Sequence, residues 1–135
     1  MEKKDEIVSK KGIPYFWLAV AYAILILIVS SIPNLKTPEL GFENQDKLYH
    51  FIEYSIFSVL LFFALLNSNK NFLRKNVLLI SLLIGASFGI LDELHQKFIP
   101  GRTADILDFT ADFVGVALIQ VCFWFYHRKK SVKPS

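Results

Sequence analysis

The sequence predicts an all-α fold: an integral membrane four-transmembrane-helix bundle with both termini cytoplasmic. Three observations lead there. Hydrophobic residues make up 53% of the 135 and the mean hydropathy is +0.41, above the composition of ordinary soluble domains. Four apolar runs, at about residues 14–32, 48–66, 76–94 and 106–126, approach the roughly 20 residues that cross a hydrocarbon core at ~1.5 Å per residue. The connectors between them are short, and basic residues favour one side. A soluble bundle burying the same helices is set aside, because four such runs leave too little polar sequence to coat it. The whole chain, 1–135, reads as a single membrane domain without internal repeats or low-complexity tracts.

The first run is entered through Pro14 and ended by Pro33. Lys10 and Lys11 before it raise the question of a signal peptide, but the apolar stretch is long and no A-x-A-like site follows. The second run is apolar except in its first turns, the third becomes charged only at its end, and the fourth carries acids in its first half. Eleven of the fifteen Lys and Arg residues lie in the two tails and in the connector after the second run. Lys36, Lys47, Lys97 and Arg102 lie on the other side, so the positive-inside rule sets both tails in the cytoplasm. Trp17, Trp124 and Tyr126 read as an inner aromatic belt, and His127 as an interfacial residue beside the basic tail.

The net charge of +3 does not point to nucleic acid, because no basic helix face or aromatic–basic stripe accompanies it. The lone Cys122 sits in an apolar run and offers neither a disulfide framework nor a cysteine zinc site.

Polar residues concentrate at the outer ends of three runs. In DKLYHFIEY, the spacing of Asp46, His50 and Glu53 puts them on one helix face, with Lys47 beside them and Tyr54 closing the segment. In GILDELHQKFIPGRTADILDF, Asp92 and Gln96 continue a stripe begun by Gly85 and Gly89, and Glu93 and His95 stand next to it. Asp105, Asp108, Asp112 and Gly115 share one side of the fourth run. The first run brings only Tyr22, Ser30 and Ser31. Ionisable groups inside a span cost several kcal/mol unless paired or watered, so a deep cluster of them is a functional-site hypothesis. Lys97, Asp46 and Asp105 lie near the interface, whereas Glu53, Asp92, Glu93 and Asp112 lie deeper. Expected counter-charges are Arg102, folded back from the Pro100–Gly101 turn, together with Lys47 and protonated His50 or His95.

These segments resemble the VanZ-like family of small bacterial membrane proteins. The likeness covers Asp46 to Gly115 and rests on DKLYHFIEY, on the D-E-x-x-Q-x-x-x-P-G-R core from Asp92 to Arg102, and on Asp108-x-x-x-Asp112-x-x-Gly115. It implies a helical protein of the bacterial cell membrane and, from the founding member, reduced sensitivity to teicoplanin-type antibiotics. The family usually carries Asn where this chain has Asp112, so the site here is more acidic and calls for a proton or a cation.

Three functions compete. The first is envelope protection, by binding or altering a membrane lipid or lipid-linked cell-wall precursor at the outer leaflet. The second is a membrane-embedded acid–base enzyme, a hydrolase or transferase acting on lipid-linked phosphate or sugar. In it His50 with Glu53 and Asp92 with His95 are i, i+3 pairs, and Arg102 grips a phosphate. A divalent metal is compatible with that donor set, manganese, iron and zinc alike, and no cofactor is certain. The third is transport of a proton, ion or lipid, disfavoured by the apolar inner halves of the second and third runs. The residues carry these expected roles: Arg102 and Lys47 hold an anionic headgroup or anchor the acids; Glu53, Asp92 and Glu93 act as acid–base or ligand groups. His50 and His95 exchange protons, Gln96 orients by hydrogen bonding, and Asp108 with Asp112 fixes Arg102 or a cation. Gly85-x-x-x-Gly89 offers a close-packing face for a second copy.

Overall fold

The computed structural model describes the backbone of residues 2–36 and 38–131, and the side chains of 14–36, 38–126, 128 and 129. His127 and the lysines of both tails other than Lys129 fall outside the described side chains. Helix α1 spans Glu2–Ser30, α2 Gln45–Leu66, α3 Asn71–Lys75, α4 Val77–Gln96 and α5 Ile106–Ser131. Among the described residues there are no strands.

Three apolar helices are long enough to cross a membrane: Gln45–Leu66, Val77–Gln96 and Ile106–Tyr126, with mean hydropathies of 1.7, 2.0 and 1.8. The apolar part of α1, Pro14–Ser30, is shorter. Pro14 does not open that helix but lies inside it. A proline there removes one bond to the Lys10 carbonyl, a loss that water or headgroups can offset at a membrane edge. The connector after α2 contains the short helix α3, which the apolar pattern does not signal because its five residues form little more than one turn.

Paired side chains fix the directions. Tyr15 stacks on Phe63 and Tyr22 on Phe57, so α1 and α2 run antiparallel. Lys47 meets Asp108, His50 meets Asp112, Ser58 meets Val116, and Phe62 stacks on Phe123 at 3.9 Å, so α2 and α5 run parallel in steady register. Gly85 packs on Val116 and Gly89 on Asp112, which makes α4 and α5 antiparallel. Helix α2 touches all three other long helices and is the axis of the bundle.

Helix α4 is inverted relative to a helix of a soluble bundle. The buried stripe of α4 is Val77, Ser81, Gly85, Gly89, Asp92, Glu93 and Gln96, while Leu79, Leu83, Ile90 and Leu91 are exposed. Burying carboxylates and exposing leucines is stable only where the surroundings are themselves apolar. The small residues set how closely the backbones approach. A Cβ at Gly85 would lie 2.8 Å from Val116 Cγ1, and one at Gly115 would lie 2.6 Å from the Phe51 carbonyl oxygen. The face expected to receive a second copy at Gly85 and Gly89 is therefore occupied by α5 of the same chain, because the glycine stripe also carries the polar residues that must turn inward.

At the end of the bundle that carries the acids, Asn34 N–H donates to the Pro100 carbonyl (3.1 Å), tying the loop after α1 to the α4–α5 turn. Gly101 in that turn has φ +76°, and Asn34 fills the space a Cβ would need, so both conformation and packing require glycine.

The Gly115 contact generates a test. Gly115→Ala should lower the thermal unfolding temperature in detergent, with a loss of about 1–3 kcal/mol from overpacking against the α2 backbone.

Candidate functional site

Helix α2 begins at Gln45, early enough for Asp46 and Lys47 to be helical and to share the cluster with His50 one turn on. Lys47 Nζ donates to Asp46 Oδ2 (3.0 Å), Asp105 Oδ2 (3.1 Å) and Asp108 Oδ1 (2.7 Å), joining α2, the α4–α5 turn and α5. Asp108 is the buried partner, with a side chain 9% exposed against 46% for Asp46. Asp105 also accepts from Leu107 N–H (2.9 Å). That backbone bond first, and Lys47 second, hold its carboxyl below the ordinary aspartate range.

One turn deeper, His50 Nδ1 lies 3.0 Å from Asp112 Oδ1 and 4.0 Å from Glu93 Oε1, and His50 Nε2 lies 3.9 Å from Asp108 Oδ2. A carboxylate only accepts, so His50 Nδ1 carries the hydrogen of the Asp112 bond when Asp112 is ionised. Glu93 Oε2 accepts from Asp105 N–H (3.1 Å), which fixes the carboxyl, but its Oε1 is buried without a partner, as are Asp112 Oδ2 and Asp92 Oδ1. In this region Asp46, Glu53, Asp92, Glu93, Asp105, Asp108 and Asp112 face Lys47, His50 and Arg102. Acids outnumber bases. His50, Glu93 and Asp112 each offer one ligand atom within 4.8 Å of the others, an arrangement able to hold a metal ion.

Beside this cluster opens a cleft of about 500 Å³. Asp46, Tyr49, His50 and Glu53 line it from α2, Asp92 and Gln96 from α4, Asp108 from α5, and Arg102 from the turn. Glu93 and Asp112 stand behind its wall, and Tyr54, fully buried with an unpartnered hydroxyl, lies beneath rather than on it. Gln96 Nε2 donates to Asp92 Oδ2 (3.1 Å), the orienting bond its position suggests.

Several pairings differ from those read along the sequence. His50 does not pair with Glu53 within α2, nor Asp92 with His95 within α4; the partners of His50 come from α4 and α5, because interhelical packing brings them closer than one helical turn does. His95 leaves the cluster altogether and meets Ser31 Oγ (2.8 Å). Successive helical positions differ by about 100°, so Asp92 and Glu93 reach inward while His95 turns to α1. Arg102 lines the cleft beside Glu53 and Asp92 but does not clasp their carboxylates. Its Nη2 donates to the Val29 carbonyl (2.9 Å), and among the described residues it forms no ion pair. Asp108 and Asp112 thus hold Lys47 and His50, not Arg102.

Helix α1 lines the cleft with Tyr22 and Ser30, two of the three polar residues its sequence offers, and with Val29. A deeper polar step not evident in the sequence lies below, where Gln120 Nε2 donates to Ser58 Oγ (2.7 Å) and Ser58 Oγ donates to the Val116 carbonyl (3.2 Å). The four-residue spacing of Asp108, Asp112, Val116 and Gln120 was the available signal. Ser81, buried on α4 with its hydroxyl unpartnered, falls at the same level by the register of the Gly85–Val116 contact.

Two tests follow from the Lys47 clamp. A double-mutant cycle of Lys47→Met with Asp108→Asn should give a coupling within ~0.5–3 kcal/mol. The same cycle with the exposed Asp46→Asn should give no more than ~1 kcal/mol, measured by thermal unfolding in detergent. Asp105 has a folded value below its unfolded one, so its stabilisation is complete above the ordinary aspartate value of ~3.9 and is lost as the pH falls through the lower folded value. Asp105→Asn should flatten that acid limb of the stability profile.

The VanZ/LLP1 family profile matches residues 13–127, taking in all of α2 and α4 and most of α1 and α5. An uncharacterized protein of Schizosaccharomyces pombe is 27% identical over 114 residues, covering 84% of this chain and 67% of the yeast protein. No solved structure matches. The family match takes in the Lys47 clamp, the His50 cluster and the cleft together, and the chain belongs to the VanZ/LLP1 family.

Proposed function

We propose that the cleft receives the headgroup of a membrane lipid or lipid-linked envelope component, and that the protein protects the cell envelope by binding or altering that component. The observation that carries this reading is Arg102. It lines the cleft, uses one donor on the Val29 carbonyl, forms no ion pair among the described residues, and keeps a buried Nε without a partner. A guanidinium with spare donors favours a phosphate oxygen. Glu53 and Asp92 on the same wall accept from hydroxyls or amines, so the ligand class is a phosphate next to a sugar or amine rather than a bare anion.

In this reading the acidic end faces the outer side of a bacterial cytoplasmic membrane and the tails face the cytoplasm, as the distribution of basic residues indicates. Reduced sensitivity to teicoplanin-type antibiotics, which act on lipid-linked wall precursors, is the form of protection that the family resemblance suggests. A relative in a yeast favours stating the ligand by its chemistry rather than by one drug. The second reading, an acid–base enzyme on a lipid-linked phosphate or sugar, is favoured by His50. That residue lines the cleft while bonding Asp112 at 3.0 Å, an oriented proton-exchanging pair at the wall.

Deleting the gene should lower the inhibitory concentration of teicoplanin, and Arg102→Gln at equal protein level should reproduce the deletion. Identical inhibitory concentrations for teicoplanin and vancomycin with and without the gene would sink the antibiotic form of the proposal. For orientation, Thr103→Cys in a Cys122→Ser background should react with an impermeant maleimide on intact cells and Lys70→Cys should not; the reverse pattern overturns the topology.

A further inference from the structure

We propose that His50, Glu93 and Asp112 form a binding site for a borderline first-row divalent cation behind the wall of the cleft. The ligand atoms come from three helices, α2, α4 and α5, and all lie within 4.8 Å of one another. Metal bonds of about 2.0–2.2 Å to nitrogen and oxygen place neighbouring donors roughly 3–3.5 Å apart. His50 Nδ1 and Asp112 Oδ1 already stand at 3.0 Å, and Glu93 Oε1, at 4.0 Å from Nδ1, needs only a small turn of its carboxyl.

A second observation points to a ligand here. Glu93 has a side chain only 9% exposed, and its Oε1 faces His50 with no hydrogen-bond partner, while its other oxygen is held by the Asp105 N–H. Asp112, 1% exposed, likewise leaves Oδ2 without a partner. A buried carboxylate oxygen left unpartnered is costly, and a cation satisfies both carboxylates at once. The excess of acids over bases around the site works in the same direction.

A group able to support the ligating imidazole stands nearby. His50 Nε2 points toward Asp108 Oδ2 at 3.9 Å, and Asp108 is itself clamped by Lys47 at 2.7 Å. A carboxylate behind the far ring nitrogen orients a ligating imidazole and raises its basicity. Asp108 also stands between Lys47 and the site, which limits repulsion of an incoming ion. One imidazole with two carboxylates suits manganese, iron, cobalt or zinc better than calcium or magnesium, which prefer oxygen alone. On binding, the imidazolium gives its Nδ1 proton to water, the freed lone pair goes to the metal, and Nε2 keeps its hydrogen on the side of Asp108. The ion enters past His50, the one member of the three that lines the cleft.

The full chain, purified in detergent, stripped with chelator and loaded with Mn²⁺, provides the test. It should retain about one ion per chain after dialysis. Pulsed electron paramagnetic resonance should show coupling to a single imidazole nitrogen, absent from His50→Ala and retained in His95→Ala. Asp108→Asn should weaken retention ~10–100-fold. No retained ion, an ion without imidazole coupling, coupling lost in His95→Ala, or retention unchanged in both Glu93→Gln and Asp112→Asn would each overturn the proposal. Circular dichroism and gel filtration of every variant separate loss of the ion from loss of the fold, and His95→Ala decides wherever His50→Ala does not fold. The proposal does not rest on the headgroup reading: an ion retained with no change in antibiotic sensitivity would remove the antibiotic form of that reading and leave this one.

Discussion

Charged groups in a membrane bundle must find one another, and in this molecule that requirement is met around Lys47. Its ammonium reaches carboxylates from α2, from the α4–α5 turn and from α5, and so fixes the register in which the two parallel helices meet. Everything below follows that register: His50 with Asp112, Ser58 with Val116 and Gln120, and Phe62 on Phe123. A hydrophobic drive cannot set the register in lipid, because lipid tails are as apolar as leucine. Polar pairs and small residues take over that task.

The glycines serve the same end by different means. Gly85 and Gly115 let α5 approach α4 and α2 closely enough for Asp112 to stand between His50 and Gly89. Removing side-chain volume at these positions brings the carboxylates into one cluster, where larger residues would hold the helices apart. Close packing and the polar site are therefore one property of the bundle, and bulk at a glycine position disturbs both.

The site divides into two parts with different chemistry. Arg102 and the cleft present spare donors toward the space between α1 and the turn, while the His50 cluster presents spare acceptors behind the wall. Such a division suits an anionic group on one side and a cation on the other. His50 touches both parts, lining the cleft and bonding Asp112.

The sequence by itself determined the class of the molecule. Apolar runs of spanning length dictate helices, since a backbone in lipid must satisfy its own hydrogen bonds. Helical spacing then identified the inward faces through Asp46–His50, Asp92–Gln96 and Asp108–Asp112. Only the tertiary structure decided which groups pair. His50 chose partners on α4 and α5 over Glu53, Arg102 chose the Val29 carbonyl over the acids, and His95 turned to Ser31. Spacing along a chain fixes the angle of a side chain about its own helix. The partner depends on how far each neighbouring helix slides and how closely it approaches, and those quantities are set jointly by glycines, Lys47 and aromatic stacks distributed over four helices.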